Sequence, residues 1–112
     1  MGKPKAAETL ESLMRFARGR LVLLDRDAAR YFRVRLSALS ATVERRRDRF
    51  PADFMLVFRG CEAVGFERRM GVLRPRRLVH AFTEVGIEAL AGSLRSERAI
   101  THSIETIRRG CA

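Results

Sequence analysis

The sequence predicts an α+β fold that is winged helix-turn-helix-like, with short strands forming a small sheet and wing and additional N- and C-terminal helices. Three observations predict it. Segment 20–51, RLVLLDRDAARYFRVRLSALSATVERRRDRFP, reads as a strand, a short helix, a tight turn and a second helix ending in arginines. Two apolar runs, Ala52 to Phe58 and Leu78 to Phe82, read as strands around an arginine- and glycine-rich stretch. The chain carries a formal net charge of +10 over 112 residues, yet 46% of it is hydrophobic. Disordered basic tails are far poorer in apolar residues, so a folded domain follows.

In chain order, residues 1–6 read as a flexible basic tail and residues 7–109 as a single domain. Thr9 can cap a helix running to about Ala17, with Leu10, Leu13, Met14 and Ala17 on one face and Gly19 at its C-terminal end. Arg20 to Leu24 is a short strand. Asp25 can cap the next helix, and Asp27 in its first turn suits the positive end of the dipole. Ala28, Ala29 and Tyr31 turn inward or toward the elbow, which Val34 plugs. In the following helix Leu36, Leu39 and Val43 recur at helical spacing, opposite Ser37, Ala41, Glu44, Arg45 and Asp48. The helix-turn-helix therefore spans 25–49, and Phe50-Pro51 stops it. The wing hairpin spans 53–82, with Arg59 to Arg77 as a loop-like connection. C-terminal helices occupy 83–109, the first capped by Thr83 and the second by Ser96, with Ile100, Ile104 and Ile107 on one stripe.

The excess of arginine points to a polyanionic partner, because guanidinium forks match phosphate and guanine edges. Double-stranded DNA is the first candidate; a membrane surface is a weaker second. No run is long enough to span a bilayer, and the N-terminal segment lacks a signal-peptide core, so a cytoplasmic, nucleoid-associated protein is expected. Cys61 and Cys111 stand far apart with no ligand-like neighbours, which fits reduced thiols and no metal site. His80 and His102 are isolated. Asp25 and Asp27 have no accompanying nucleophile, so no enzymatic activity, cofactor or small-molecule ligand is expected.

The DNA-contact candidates fall into two groups. Arg35, Ser37 and Ser40 stand at the start of the second helix, where such helices meet base edges, and Arg45, Arg46, Arg47 and Arg49 cluster at its end. The bland reading of that cluster is a solvated face with weak pairs to Glu44 and Asp48. Arg68, Arg69, Arg74, Arg76 and Arg77 would form a basic wing suited to a minor groove; a loop adding only non-specific attraction is the alternative. Phe50, Phe54, Phe58 and Phe82 follow core spacing.

Four segments in order, LLDRDAARYFRV, RFPADFML, HAFTEVGIEAL and LRSERAI, resemble the phage-type "ORF-six-N" domain of the KilA-N superfamily over roughly Gly19 to Arg108. The matching motifs are Leu24-Asp25, Arg49-Phe50-Pro51 and Phe82-Thr83-Glu84-Val85-Gly86. The resemblance implies a DNA-binding domain of phage, prophage and bacterial regulators without enzymatic activity. The chain departs from that pattern at Arg33, where the family has glycine in the elbow, and at Arg47, where it has an apolar residue. The segment GCEAVGF is a reduced form of an acidic, aromatic-containing one. Many members carry a further C-terminal domain, so a stand-alone binder is expected here. A transcriptional regulator, a nucleoid-type architectural factor and an antirepressor-type interaction module are the functions to separate. A homodimer is expected, with the Leu10, Leu13 and Met14 stripe as its contact.

Overall fold

The structure is a computed structural model, and it describes residues 9–94. Its elements are α1 (Leu10–Leu13), β1 (Arg15–Ala17), β2 (Arg20–Leu24), α2 (Asp25–Phe32), α3 (Leu36–Arg45), a 3-10 turn (Arg47–Arg49), β3 (Met55–Arg59), α4 (Gly60–Arg69), β4 (Leu78–Phe82) and α5 (Glu84–Ser93). The fold is α+β, with a four-stranded sheet in the order β1-β2-β4-β3 and every pair antiparallel. The predicted tail 1–6, the helix starting at Ser96 and its Ile100, Ile104 and Ile107 stripe lie outside the described residues.

Alternation along the strands divides the core in two. Leu23 and Phe82 face Phe32, Leu39, Val43, Ile87 and Leu90, so α2, α3 and α5 cover one side. Val22, Leu24, Phe58, Val79 and Ala81 face Ala63 and Phe66 of α4 on the other. Of the aromatic residues assigned to the core, Phe50, Phe58 and Phe82 are buried and Phe54 is half-buried. Phe50 stands edge-on to Phe82, with ring centroids 5.7 Å apart.

Two predicted elements are corrected. The helix expected from Thr9 to Ala17 is a single turn, closed by a reciprocal Thr9–Ser12 capping box. The chain then becomes strand β1, because Arg18 (φ 51°) and Gly19 (φ 76°) both adopt left-handed conformations. Two such residues make the hairpin turn whose twist suits paired strands, so Gly19 closes a β1–β2 hairpin instead of capping a helix. Phe16 and Leu21 pair across it on an exposed face, 70% and 50% accessible.

The second correction concerns the wing. β3 and β4 do pair, from Met55↔Phe82 to Arg59↔Leu78, but their connection is no flexible tip. Residues 60–69 form α4, whose Ala63, Phe66 and Glu67 are buried and whose Met70 cap packs behind them. That spacing is one helical face. The loop-like reading of 59–77 holds only for the stretch beyond Arg69. Gly60 (φ +60°) and Gly71 (φ +83°) bracket the helix instead of breaking it. No helix among the described residues is long and apolar enough to cross a membrane.

The resembling motifs have local physical reasons. Thr83 caps α5, its hydroxyl accepting from the Gly86 amide at 3.3 Å while the Thr83 backbone amide donates to the Phe54 carbonyl at 3.0 Å. That bond draws the Phe54 carbonyl so close to Gly86 that a Cβ there would overlap it. Gly86 thus lets α5 lie directly on the turn that follows Pro51.

Candidate nucleic-acid interface

Helices α2 and α3 are joined by Arg33, Val34 and Arg35. The Val34 amide bonds to the Ala29 carbonyl at 3.0 Å and the Arg33 amide to the Arg30 carbonyl at 3.2 Å. These are the two bonds of a Schellman closure, which needs a left-handed residue between helix and exit. Arg33 supplies it at φ 59°, ψ 46°, so the elbow keeps a glycine-like geometry with an arginine in place.

From that elbow α3 runs with Leu39 and Val43 buried in the core and Ser37, Ser40, Ala41, Glu44 and Arg45 exposed. Thr42, also buried, returns its hydroxyl proton to the Ala38 carbonyl at 3.0 Å. Arg35 precedes the first turn in extended conformation, and Arg46 ends the helix. Arg47 folds back on Glu44 with contacts of 3.0 and 3.2 Å, as the bland reading has it. Both partners are solvated, so this pair contributes little. Arg45, Arg46 and Arg49 have no acidic partner among the described residues.

The arginines assigned to the wing separate into three environments. Arg68 and Arg69 end α4 and lie on the opposite side of the sheet from α3; Arg69 stacks 5.0 Å above the Phe66 ring. Arg74 is exposed in the loop, and Arg77 is exposed just before β4. Arg77 shares a cleft with Ser40, Glu44 and Arg47 of the α3 side. Arg68 and Arg69 therefore stand on a surface separate from α3, while Arg77 and Arg76 line the cleft beside that helix.

Arg76 is engaged in an internal network of hydrogen bonds and ion pairs. Its guanidinium donates to both oxygens of Asp25, at 2.8 and 3.1 Å, and to both oxygens of Glu67, at 2.7 and 3.2 Å. Its backbone amide also donates to Glu67 at 3.0 Å. Arg26 adds two further bonds to Glu67, of 2.8 and 3.1 Å, and the His80 amide donates to Asp25 at 3.1 Å. Burial alone would raise both carboxyl pKa values, but these donors outweigh it. Glu67 is held down at about 2 by Arg76 and Arg26, and Asp25 is lowered by His80 and Arg76. Arg76 in turn stays protonated against its own burial because Glu67 and Asp25 hold it above its ordinary value.

Asp25 is accordingly no helix cap. Leu24 occupies that position without a side-chain bond, and the Asp25 carboxylate points into the network. Asp27 pairs with Arg15 of β1 at 3.1 Å. Glu67 and Arg26 escape a reading by motif, since an acid inside an arginine run looks solvated. The one signal available was Asp25 directly after the apolar run LVLL, a buried position that needs a cation. Among the described residues no group of His, Cys, Asp or Glu side chains is arranged to hold a metal ion.

Neither the curated proteins nor the solved structures give a match to this chain. The family model described as "ORF6N domain" matches residues 13–93, from the end of α1 to the last residue of α5. Those bounds enclose the whole sheet, both helices of the turn and the Arg76 network, and they bring with them a phage-related regulatory or DNA-associated role: the chain belongs to the ORF6N domain family.

Proposed function

We propose that this domain binds double-stranded DNA without catalysing a reaction on it, and that it regulates transcription of phage-type or bacterial genes. The observation that carries the reading is the exposed side of α3. Ser37 and Ser40 stand in its first turns, Arg35 just before them, and Arg45, Arg46 and Arg49 at its end without acidic partners among the described residues. Small polar groups where a helix meets base edges, followed by unneutralised arginines, suit phosphate anchoring with limited base readout. Arg77 extends that surface; Arg68 and Arg69, across the sheet, do not.

The test is fluorescence anisotropy with a labelled duplex over a salt series. Affinity should fall with a log–log slope of about −0.9 per phosphate neutralised. The double variant Arg45→Gln/Arg49→Gln should flatten that slope by about 2, whereas Arg68→Gln/Arg69→Gln should leave it nearly unchanged. No duplex binding at low salt, or equal effects of the two variants, rejects the reading. Few bidentate base readers stand on α3, so its sequence preference should be modest and lean to A·T-rich or easily bent sites. In genome-wide immunoprecipitation discrete sites support a regulator, and broad A·T-rich coverage would mark an architectural binder instead.

A further inference from the structure

Among the described residues, the helical layer that covers Leu23 and Phe82 leaves part of the same sheet face open. Past Leu39 and Val43 of α3, a cleft of about 600 Å³ lies between that helix and the β3–β4 half of the sheet. Its lining is mostly apolar: Leu39, Val43, Met55, Leu78 and Phe82. Leu78 and Phe82 share a strand face with His80, and Leu78 is 41% accessible although it sits on a sheet. Volumes of this size and apolar lining are those of small-molecule sites.

The polar groups of the lining are unequal, and one of them, His80, lies on the strand face between Leu78 and Phe82 with its amide bonded to Asp25. Glu44 is already held by Arg47, and the Arg76 guanidinium is filled by Asp25 and Glu67. Arg77 is exposed there and has no acidic partner among the described residues. An apolar cavity with one unneutralised guanidinium in its lining fits a molecule with an apolar body and a single anionic head.

We propose that this cleft binds a small apolar carboxylate, with its hydrocarbon body between α3 and β4 and its carboxylate on Arg77. Sequence alone carries no sign of such a site, because its lining is scattered over residues 39–82. Because α3 forms one wall, the bound molecule would brace that helix against the sheet. Any effect on DNA affinity rests on the DNA-binding reading above; binding of the carboxylate does not, and it is measured without DNA.

The probe is decanoate, titrated into the full-length chain and followed by amide chemical shifts. Saturable shifts at Leu39, Val43, Leu78 and Phe82 are expected, with decanol binding much more weakly. Arg77→Gln should weaken decanoate binding by about tenfold, the loss of one charge-assisted contact. Leu78→Trp, which fills the cleft from a partly exposed position, should abolish it; a dispersed amide spectrum shows that this variant has folded. Absence of saturable shifts up to about 5 mM, near the weak end of measurable affinity, overturns the proposal. Equal binding of decanol, or an unchanged Arg77→Gln, overturns the anionic head. Proton contacts from Ile100, Ile104 or Ile107 to Leu78 would mean that the chain's own C-terminal segment fills the cleft, and would equally overturn it.

Discussion

Arg76 and Asp25 are 51 residues apart in sequence and meet through two hydrogen bonds of 2.8 and 3.1 Å. The pair fastens the loop after α4 to the first turn of α2, and through Glu67 the same guanidinium also fastens it to α4. One arginine thus ties the two sides of the sheet together beside the open cleft. Buried ion pairs are not in themselves a large source of stability, but losing one partner strands the others away from water.

The neighbouring arginines Arg76 and Arg77 should therefore behave in opposite ways. Arg76→Gln leaves the Asp25 and Glu67 carboxylates buried without their shared cation and should cost about 3–5 kcal/mol in urea denaturation. Arg77→Gln removes an exposed side chain and should change stability by less than about 0.5 kcal/mol. Equal costs would mean that the network contributes nothing beyond surface charge.

Acid should loosen the same network in a defined range. Glu67 falls from its ordinary 4.5 to about 2 on folding, so its contribution is fully present above pH 4.5 and is lost as pH falls toward 2. The shift corresponds to about 3 kcal/mol, and Asp25, also lowered, acts in the same direction. Stability of the native sequence should drop across that interval. Glu67→Gln, which cannot titrate, should show a visibly shallower fall in the same denaturation series. Parallel curves would mean that other carboxylates dominate the acid response.

What sequence revealed and what it concealed follow from the range of the interactions. Capping by Thr9 and Thr83, the α2–α3 elbow and the inward face of α3 depend on residues within a few positions, and all are legible. β1 was hidden because a short apolar stripe fits a helix as well as a strand, and the left-handed Arg18-Gly19 turn decides between them. α4 was hidden by glycines at its ends and by Glu67 on its buried face. That face looks apolar only once Arg26 and Arg76, 41 and 9 residues away, are in place. The partition of the arginines into anchoring, stacking and unpartnered ones depends on tertiary partners and leaves no local pattern.

The elbow makes a prediction of the opposite sign. Arg33 holds a left-handed backbone that suits glycine, at an expense of about 1 kcal/mol or more for a residue with a Cβ. Its side chain is exposed and makes no ion pair among the described residues. Arg33→Gly should consequently raise the melting temperature, by an amount set by relieved strain less the added freedom of the unfolded chain. A lower melting temperature would show that the arginine side chain contributes more than its backbone costs.

Assembly is where the structure redirects the sequence expectation most. Leu13, part of the stripe expected to make the dimer contact, is 8% exposed and belongs to the monomer core with Phe32 and Leu90, and Leu10 and Met14 pack against that core. Leu13→Asp should therefore unfold the chain instead of yielding folded monomers. If two copies associate on DNA, the exposed cross-strand pair Phe16 and Leu21, on the edge hairpin of the sheet, offers the apolar contact. Phe16→Asp should then leave the melting temperature nearly unchanged while halving the mass seen by light scattering and weakening duplex binding. A native chain that is already monomeric at tens of micromolar, on the order of weak specific association, would end the dimer proposal. Binding would then rest on α3, Arg77 and the arginines after the helix in a single copy.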